Sequence, residues 1–145
     1  MSSLKGRNRR GLGADGYRTY NGLDIEITEE QGMLRTTFKG PGTHANLLRA
    51  VTAIVSETKA RDSWHVLCDV TGLIPPIGAF EKFEAGAELS RSADRRLKLA
   101  VVTRVEIIDY VFQNVARNRG ASVAVFRNEG AALQWLHNAK NGGAS

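Results

Sequence analysis

The sequence is short of cysteine and of long apolar runs, and each shortage excludes a class of protein. Its single cysteine, Cys68, cannot form an internal disulfide, which excludes a disulfide-rich secreted scaffold. No apolar run approaches the roughly 18 residues that a transmembrane helix requires. The N-terminus is basic but lacks the apolar stretch of a secretion signal. We therefore expect a cytoplasmic protein in which Cys68 is a buried, reduced thiol.

The positive charge of the chain is concentrated at one end. Of 20 basic and 15 acidic side chains, five basic and one acidic lie within residues 1–20, so the rest of the chain is close to neutral. Residues 1–20 are also poor in apolar side chains, which predicts a flexible basic tail. We predict a single domain over residues 21–140 and a frayed C-terminus over 141–145. A basic folded face of the kind that binds nucleic acid is not indicated.

Hydrophobic periodicity predicts an α/β protein with the element order β-β-α-β-α-β-α-β-α. Strands joined by helices favour parallel pairing with right-handed crossovers. We therefore expect a mixed, mostly parallel five-stranded sheet with an N-terminal β-hairpin and four helices. The strands are predicted over residues 24–30, 33–38, 64–69, 97–102 and 122–126, and the helices begin at Thr43, at about residue 79, at a Thr103–Glu106 capping box and at Asn128.

The helix predicted over residues 79–92 has the weakest pattern of the four. Its apolar stripe consists of Phe80, Phe83 and Ala87, which are expected to share one face of the helix. Gly86 weakens the middle of the helix by roughly 1 kcal/mol relative to alanine. We expect this helix to be loosely held beside a loop that two prolines keep irregular.

Three segments give the chain a likeness to a known family. They are Val66–Gly72 (VLCDVTG), Leu99–Thr103 (LAVVT) and Val125–Leu136 (VFRNEGAALQWL). Over about residues 23–138 the chain resembles the SpoIIAA-like branch of the STAS domains, which are related to anti-sigma-factor antagonists and are loosely grouped with Sec14-type folds. The resemblance implies a noncatalytic regulatory or binding module of the bacterial cytoplasm. It also implies that the module binds a partner protein or a small apolar, lipid-like ligand.

The resemblance selects candidate ligand-binding residues around the loop and helix at 71–83. Asp69 matches the aspartate that ends the third strand of anti-sigma-factor antagonists. Their phosphorylated serine has no counterpart, because residues 75–78 carry no hydroxyl group, and Thr71 is the nearest one. The Sec14 grouping implies an apolar cleft between the sheet and this segment. The candidates are Asp69, Thr71, Leu73, Ile74, Ile77, Phe80 and Phe83, of which the apolar members could instead pack in the core.

A cluster of basic residues lies between a predicted helix and a predicted strand. It consists of Arg91, Arg95, Arg96 and Lys98. Its arginines could contact an anion or an acidic partner with help from the basic tail, or they could form a solvated connection. The tail therefore leaves open an alternative function, in which the protein associates with an anionic surface or with nucleic acid.

The sequence contains no pattern typical of catalysis, of a metal site or of a cofactor site. None of the three histidines has a second ligand at metal-binding spacing. Residues 11–16 spell a dinucleotide-binding fingerprint, but an arginine-rich segment precedes them where a strand is required. We expect no catalytic residue, no metal and no cofactor, and an unrecognised enzyme is the least favoured alternative. A homodimer could form through an exposed edge strand such as residues 24–30.

Overall fold

The computed structural model describes residues 16–20, 22–75, 77–104 and 110–140. These residues form one mixed sheet with helices packed on both of its faces. In chain order the elements are β1 (Gly16–Tyr20), β2 (Leu23–Glu30), β3 (Met33–Pro41), α1 (His44–Arg61), β4 (His65–Ile74), α2 (Ala79–Ser92), β5 (Lys98–Val102), α3 (Val111–Asn118), β6 (Ser122–Phe126) and α4 (Glu129–Lys140).

The six strands lie in the sheet in the same order as in the chain. The pairs β1–β2 and β2–β3 are antiparallel, and every later pair is parallel. A helix connects each pair of parallel strands, as parallel pairing requires. The predicted α/β class, the N-terminal hairpin, its mostly parallel sheet and the four helices are confirmed, and β1 joins the five predicted strands as a sixth.

The first strand corrects two predictions about the N-terminal part of the chain. β1 pairs with β2 from Gly16 opposite Ile27 to Tyr20 opposite Leu23, so these five residues belong to the sheet rather than to a flexible tail. The segment GYRTY contains aromatic and β-branched residues, which favour a strand, and it pairs with backbone groups of β2 that would otherwise be open. The predicted homodimer edge at β2 is therefore wrong, because β2 is an interior strand. The rest of the predicted tail and the predicted frayed C-terminus lie outside the described residues.

Each face of the sheet buries a different set of side chains, as the alternation of a strand requires. Val66 and Cys68 face the layer formed by α1, α2 and α3. Leu67 and Ala100 face α4, where they pack against Leu136. Because β4 and β5 are covered on both faces, their sequences are apolar almost throughout.

Helix α1 begins and ends at residues that cap it. The side-chain oxygen of Thr43 accepts a hydrogen bond from the backbone N–H of Asn46 at 3.1 Å, which confirms the predicted start of the helix. At the other end, Asp62 adopts a left-handed conformation with φ of 51°, and its backbone N–H donates to the carbonyl oxygen of Thr58.

Helix α3 starts later than the sequence predicts. Tyr110 has a φ of 64°, which interrupts any continuous helix beginning at Thr103, and α3 follows it. The backbone N–H of Thr103 instead donates to the carbonyl oxygen of Phe126 at 3.0 Å, which extends the pairing of β5 with β6. A single continuous helix from Thr103 to Gly120 is therefore wrong at Tyr110, and residues 105–109 of that prediction lie outside the described part of the chain.

Helix α2 buries Ala87 of the predicted apolar face but not the two phenylalanines of that face. Its buried residues are Ala85, Gly86, Ala87 and Leu89, whereas Phe80 and Phe83 are exposed. A Cβ atom added at Gly86 would lie 2.8 Å from the carbonyl oxygen of Phe112 in α3. The glycine therefore permits a close approach of two helices, and the small residues around it allow α2 to fit between α1 and α3.

The outer edge of β6 is closed by two side chains of α3. Gln113 accepts a hydrogen bond from the backbone N–H of Val125 at 2.8 Å, and Arg117 donates to the carbonyl oxygen of Val123 at 2.6 Å. These side chains satisfy backbone groups that another strand would otherwise pair with. The β6 edge is therefore a poor place for a second chain to join the sheet.

Candidate binding site at the carboxyl end of the sheet

An apolar cavity lies between the sheet and the layer of α1, α2 and α3. Its volume is about 110 Å³. Its walls come from α1, from the strands β4, β5 and β6, and from α2 and the start of α3. The lining includes Leu47, Ala50, Val51, Ile54, Cys68, Val70, Leu73, Ile77, Lys82, Ala85, Val101, Thr103 and Tyr110.

Cys68 forms part of the cavity floor on β4 and confirms the predicted buried thiol. Burial raises the pKa of this thiol to about 12, against a hydrogen bond with Thr36 that lowers it and with a smaller raising effect of the nearby Asp69 carboxylate. The neutral thiol therefore behaves here as a small apolar group rather than as a nucleophile.

The apolar patch, as we call it, is a set of four exposed apolar side chains near the start of α2 and directly before α3. It consists of Ile74, Phe80, Phe83 and Tyr110, whose exposed fractions are 58%, 62%, 42% and 43%. They are the large hydrophobic residues that stand exposed among the residues the structure describes. Ile74 ends β4, Phe80 and Phe83 begin α2, and Tyr110 precedes α3. The patch thus lies at the carboxyl end of the parallel strands, where open α/β sheets commonly bind ligands.

Two neighbouring side chains hold the phenylalanine rings of the patch. The ring of His44, at the start of α1, lies 5.7 Å from the ring of Phe80 between centroids. The guanidinium carbon of Arg119 lies 5.8 Å from the centroid of the Phe83 ring. Both rings are therefore oriented by residues of adjacent helices although solvent covers much of their surface.

Tyr110 connects the patch with the cavity, and sequence reasoning missed it. It lines the cavity while remaining 43% exposed. Its left-handed backbone, with φ of 64°, is uncommon for a residue that is neither glycine nor asparagine. The local apolar pattern does not single out Tyr110, because that pattern predicts that residue 110 continues a helix.

The seven predicted ligand-binding residues divide among three places. Leu73 and Ile77 line the cavity, and Ile74, Phe80 and Phe83 belong to the apolar patch. Asp69 lies opposite Val102 of β5, which faces α4, so it is on the other face of the sheet from the cavity. Thr71 is joined to Asp69, since its backbone N–H and its hydroxyl donate to the same carboxylate oxygen at 2.9 and 2.6 Å. The five apolar members are therefore brought together at one end of α2, and the two polar members are separate from them.

Ion pairs occupy the face on which Asp69 lies. Arg35 of β3 donates two hydrogen bonds to Glu129 of α4, at 2.8 and 2.9 Å. This contact lowers the pKa of the Glu129 carboxyl and raises the pKa of Arg35, to which Asp69 adds a smaller electrostatic effect. The pair of Arg35 and Glu129 therefore joins α4 to the sheet.

The predicted anion-contacting arginines lie at the opposite end of the sheet from the apolar patch. Arg91 pairs with Glu88, and Arg96 donates to both carboxylate oxygens of Asp94 at 2.9 and 3.0 Å. Arg95 is exposed beside them. Hydrogen bonds from Arg96 hold the pKa of Asp94 down at about 2. Two of the three arginines are therefore engaged with acidic residues of the chain itself, and the anion contact stays a prediction.

Other classes of site receive no support from the described residues. In that part of the chain no group of three or more histidine, cysteine, aspartate or glutamate side chains could hold a metal ion. Within the same residues, no helix has the length and apolar character to cross a membrane.

Solved structures with the same arrangement of strands and helices are known. An anti-sigma factor antagonist from Mycobacterium paratuberculosis superposes with a TM-score of 0.57 at 12% sequence identity, over 82% of this chain and 97% of that one. An uncharacterized protein of the DUF3478 family with a SpoIIAA-like fold, from Shewanella loihica PV-4, gives a TM-score of 0.50 at 17% identity over the same shares. No family model and no curated protein matches the sequence. The chain therefore has a SpoIIAA-like fold, which is what the resemblance in its sequence implied.

Proposed function

We propose that this protein is a noncatalytic regulatory module that binds a partner protein through the apolar patch. The observation that carries the proposal is the exposure of four large apolar side chains at one end of the sheet. Contiguous exposed apolar surface on a small protein is typical of an interaction site. Phenylalanine, tyrosine and arginine are also the kinds of side chain through which partner proteins are held most tightly.

The partner expected for this surface offers apolar sockets for aromatic rings. His44 and Arg119 already orient Phe80 and Phe83, so little side-chain freedom is lost when a partner covers them. A lipid-like ligand is less well supported. The cavity has a volume of about 110 Å³, which is far smaller than the roughly 300–1,000 Å³ of a typical binding pocket for a drug-sized ligand.

Two further observations support a role in binding rather than in catalysis. The Cys68 thiol is neutral because burial raises its pKa, and the Asp69 carboxylate is engaged by Thr71. The structural neighbour named as an anti-sigma factor antagonist acts, by that name, on another regulatory protein. A regulatory role through a protein partner fits both the fold and the exposed surface.

Site-specific photo-crosslinking in the native host tests the proposal. In one variant p-benzoylphenylalanine replaces Phe83, and in a matched control it replaces Gln134, which is exposed on α4 across the sheet. We expect the first variant to form a covalent adduct with one other protein species, and we expect the control not to form it. Equal adducts at both positions, adducts with a second copy of this chain only, or no adduct at Phe83 would contradict the proposal.

A further inference from the structure

Two buried alanines line the interior cavity from two different helices. They are Ala50 on α1 and Ala85 on α2. Protein interiors are packed to the density of organic crystals and contain few voids larger than a water molecule. A cavity of about 110 Å³ is therefore large for the core of a small domain, and the short side chains at these two positions help to keep it open.

The lining of the cavity is mostly hydrocarbon. The exceptions among its residues are Cys68, Lys82, Thr103 and Tyr110. The Cys68 thiol is neutral and behaves as a small apolar group, because burial raises its pKa. A cavity of this composition favours an apolar occupant over water.

Lys82 is the charged residue of the lining among the residues that the structure describes. It already has an interaction partner within the chain. An ionic occupant would therefore lose its hydration without gaining a free counter-charge in the cavity, and an uncompensated buried charge is far more costly than a buried hydrocarbon. The lining thus selects a neutral molecule.

Tyr110 extends from the cavity lining to solvent. Its side chain lines the cavity and is nevertheless 43% exposed. Its backbone has a φ of 64°, a conformation that is sparsely populated by residues with a bulky side chain and that occurs preferentially where ligands are held. Tyr110 is therefore the residue beside which a small molecule can pass between the cavity and solvent.

We propose that the cavity binds a neutral, compact hydrocarbon of about six carbon atoms. A cavity of roughly 150 Å³ in another protein accommodates benzene, so a volume of about 110 Å³ sets the upper limit near that size. The occupant lies between the sheet and α1, in contact with Cys68. The inference concerns the interior cavity and goes beyond the proposed docking of a protein on the apolar patch.

The single cysteine of the chain makes the test selective, and benzene is the probe. Cys68 lies on the cavity lining, so the full-length protein labelled with ¹³C at the cysteine Cβ has one reporter signal inside the site. Titration with benzene is expected to shift this signal in a saturable way. The absence of a saturable shift at millimolar benzene would overturn the inference.

A second titration tests whether the site requires a hydrocarbon. Pyridine has the size and shape of benzene but carries a polar nitrogen, which would lose its hydrogen bonds with water in an apolar cavity. It is expected to bind the wild type at least about tenfold more weakly than benzene does. Equal affinities for the two rings would contradict a site that selects a hydrocarbon.

A pair of alanine variants locates the site. Ala50→Leu places a larger side chain in the cavity and is expected to weaken benzene binding at least about tenfold. Ala45→Leu, exposed on the same helix, is the control and should bind benzene as the wild type does. Unchanged benzene affinity in Ala50→Leu would show that benzene binds elsewhere. Should Ala50→Leu fail to fold, the comparison of benzene with pyridine in the wild type decides.

Phe83→Ala separates the cavity from the apolar patch. Phe83 belongs to the patch and is not part of the cavity lining. The benzene-induced shift at Cys68 is expected to persist in this variant. Its loss would place benzene on the patch and contradict the inference, whereas its persistence holds whether or not a partner protein docks there.

Discussion

Replacing Phe80 by alanine is expected to cost little stability, although phenylalanine is among the most apolar of residues. Phe80 is 62% exposed, so little more than a third of its surface is covered in the folded chain. Full burial of such a side chain contributes about 1.5–3 kcal/mol, so its covered part contributes about 1 kcal/mol or less. Alanine also has the higher helix propensity, which offsets part of that loss in the first turn of α2.

Phe38 is the matched comparison, because it is a phenylalanine with no exposed surface in the larger core cluster. Phe38→Ala is expected to lower the free energy of unfolding by about 3–5 kcal/mol. Urea denaturation of both variants measures the two changes, with the slope against urea used to check that the folded states remain comparable. A loss of more than about 2 kcal/mol in Phe80→Ala would refute the reasoning, because it would mean that Phe80 stabilises the fold rather than a complex.

Three further predictions follow from single contacts. Gly86→Ala is expected to lower the melting temperature despite its gain in helix propensity, because the new Cβ would lie 2.8 Å from a carbonyl oxygen of α3. Gly130→Ala is the control and should not lower it, because its nearest contact is at 3.5 Å. The pKa of Asp94 is lowered from 3.8 to about 2, so the stability that its carboxylate contributes is present above about pH 4 and is lost as the pH falls towards 2. The difference in melting temperature between the wild type and Asp94→Asn should therefore shrink over that range. A constant difference would contradict this prediction. Cys68 should resist iodoacetamide at pH 8 in the folded protein and react rapidly in urea, since burial raises its pKa to about 12; equal rates would show that the thiol is accessible.

Much of the fold could be predicted from local sequence patterns. The apolar runs at β4, β5 and β6 indicate strands covered on both faces, and Thr43 marks the start of α1. These features depend on residues close together in the chain. The alternation of apolar and polar residues in β2 likewise predicts the hairpin that begins the parallel part of the sheet.

The remaining features depend on contacts between distant residues, which a local pattern does not contain. Gly86 looks like a weak point in a helix, but its reason lies in the backbone of α3. Phe80 and Phe83 look like core residues because they are apolar at helical spacing, whereas close packing of small residues turns the other face of α2 inward. The sequence directs attention to residues 71–83, and the structure is needed to show which of these side chains line the cavity and which belong to the apolar patch.

The measurement that tests the central claim most directly is the affinity for the partner cross-linked at Phe83. Titration calorimetry would compare the wild type with Phe80→Ala/Phe83→Ala, and with Gln134→Ala on the opposite side of the sheet as the control. Loss of two central aromatic side chains is expected to weaken binding by about 30-fold or more, while the control binds as the wild type does. Equal affinities for the wild type and the double variant would contradict the account, since the apolar patch would then not be the surface that binds the partner.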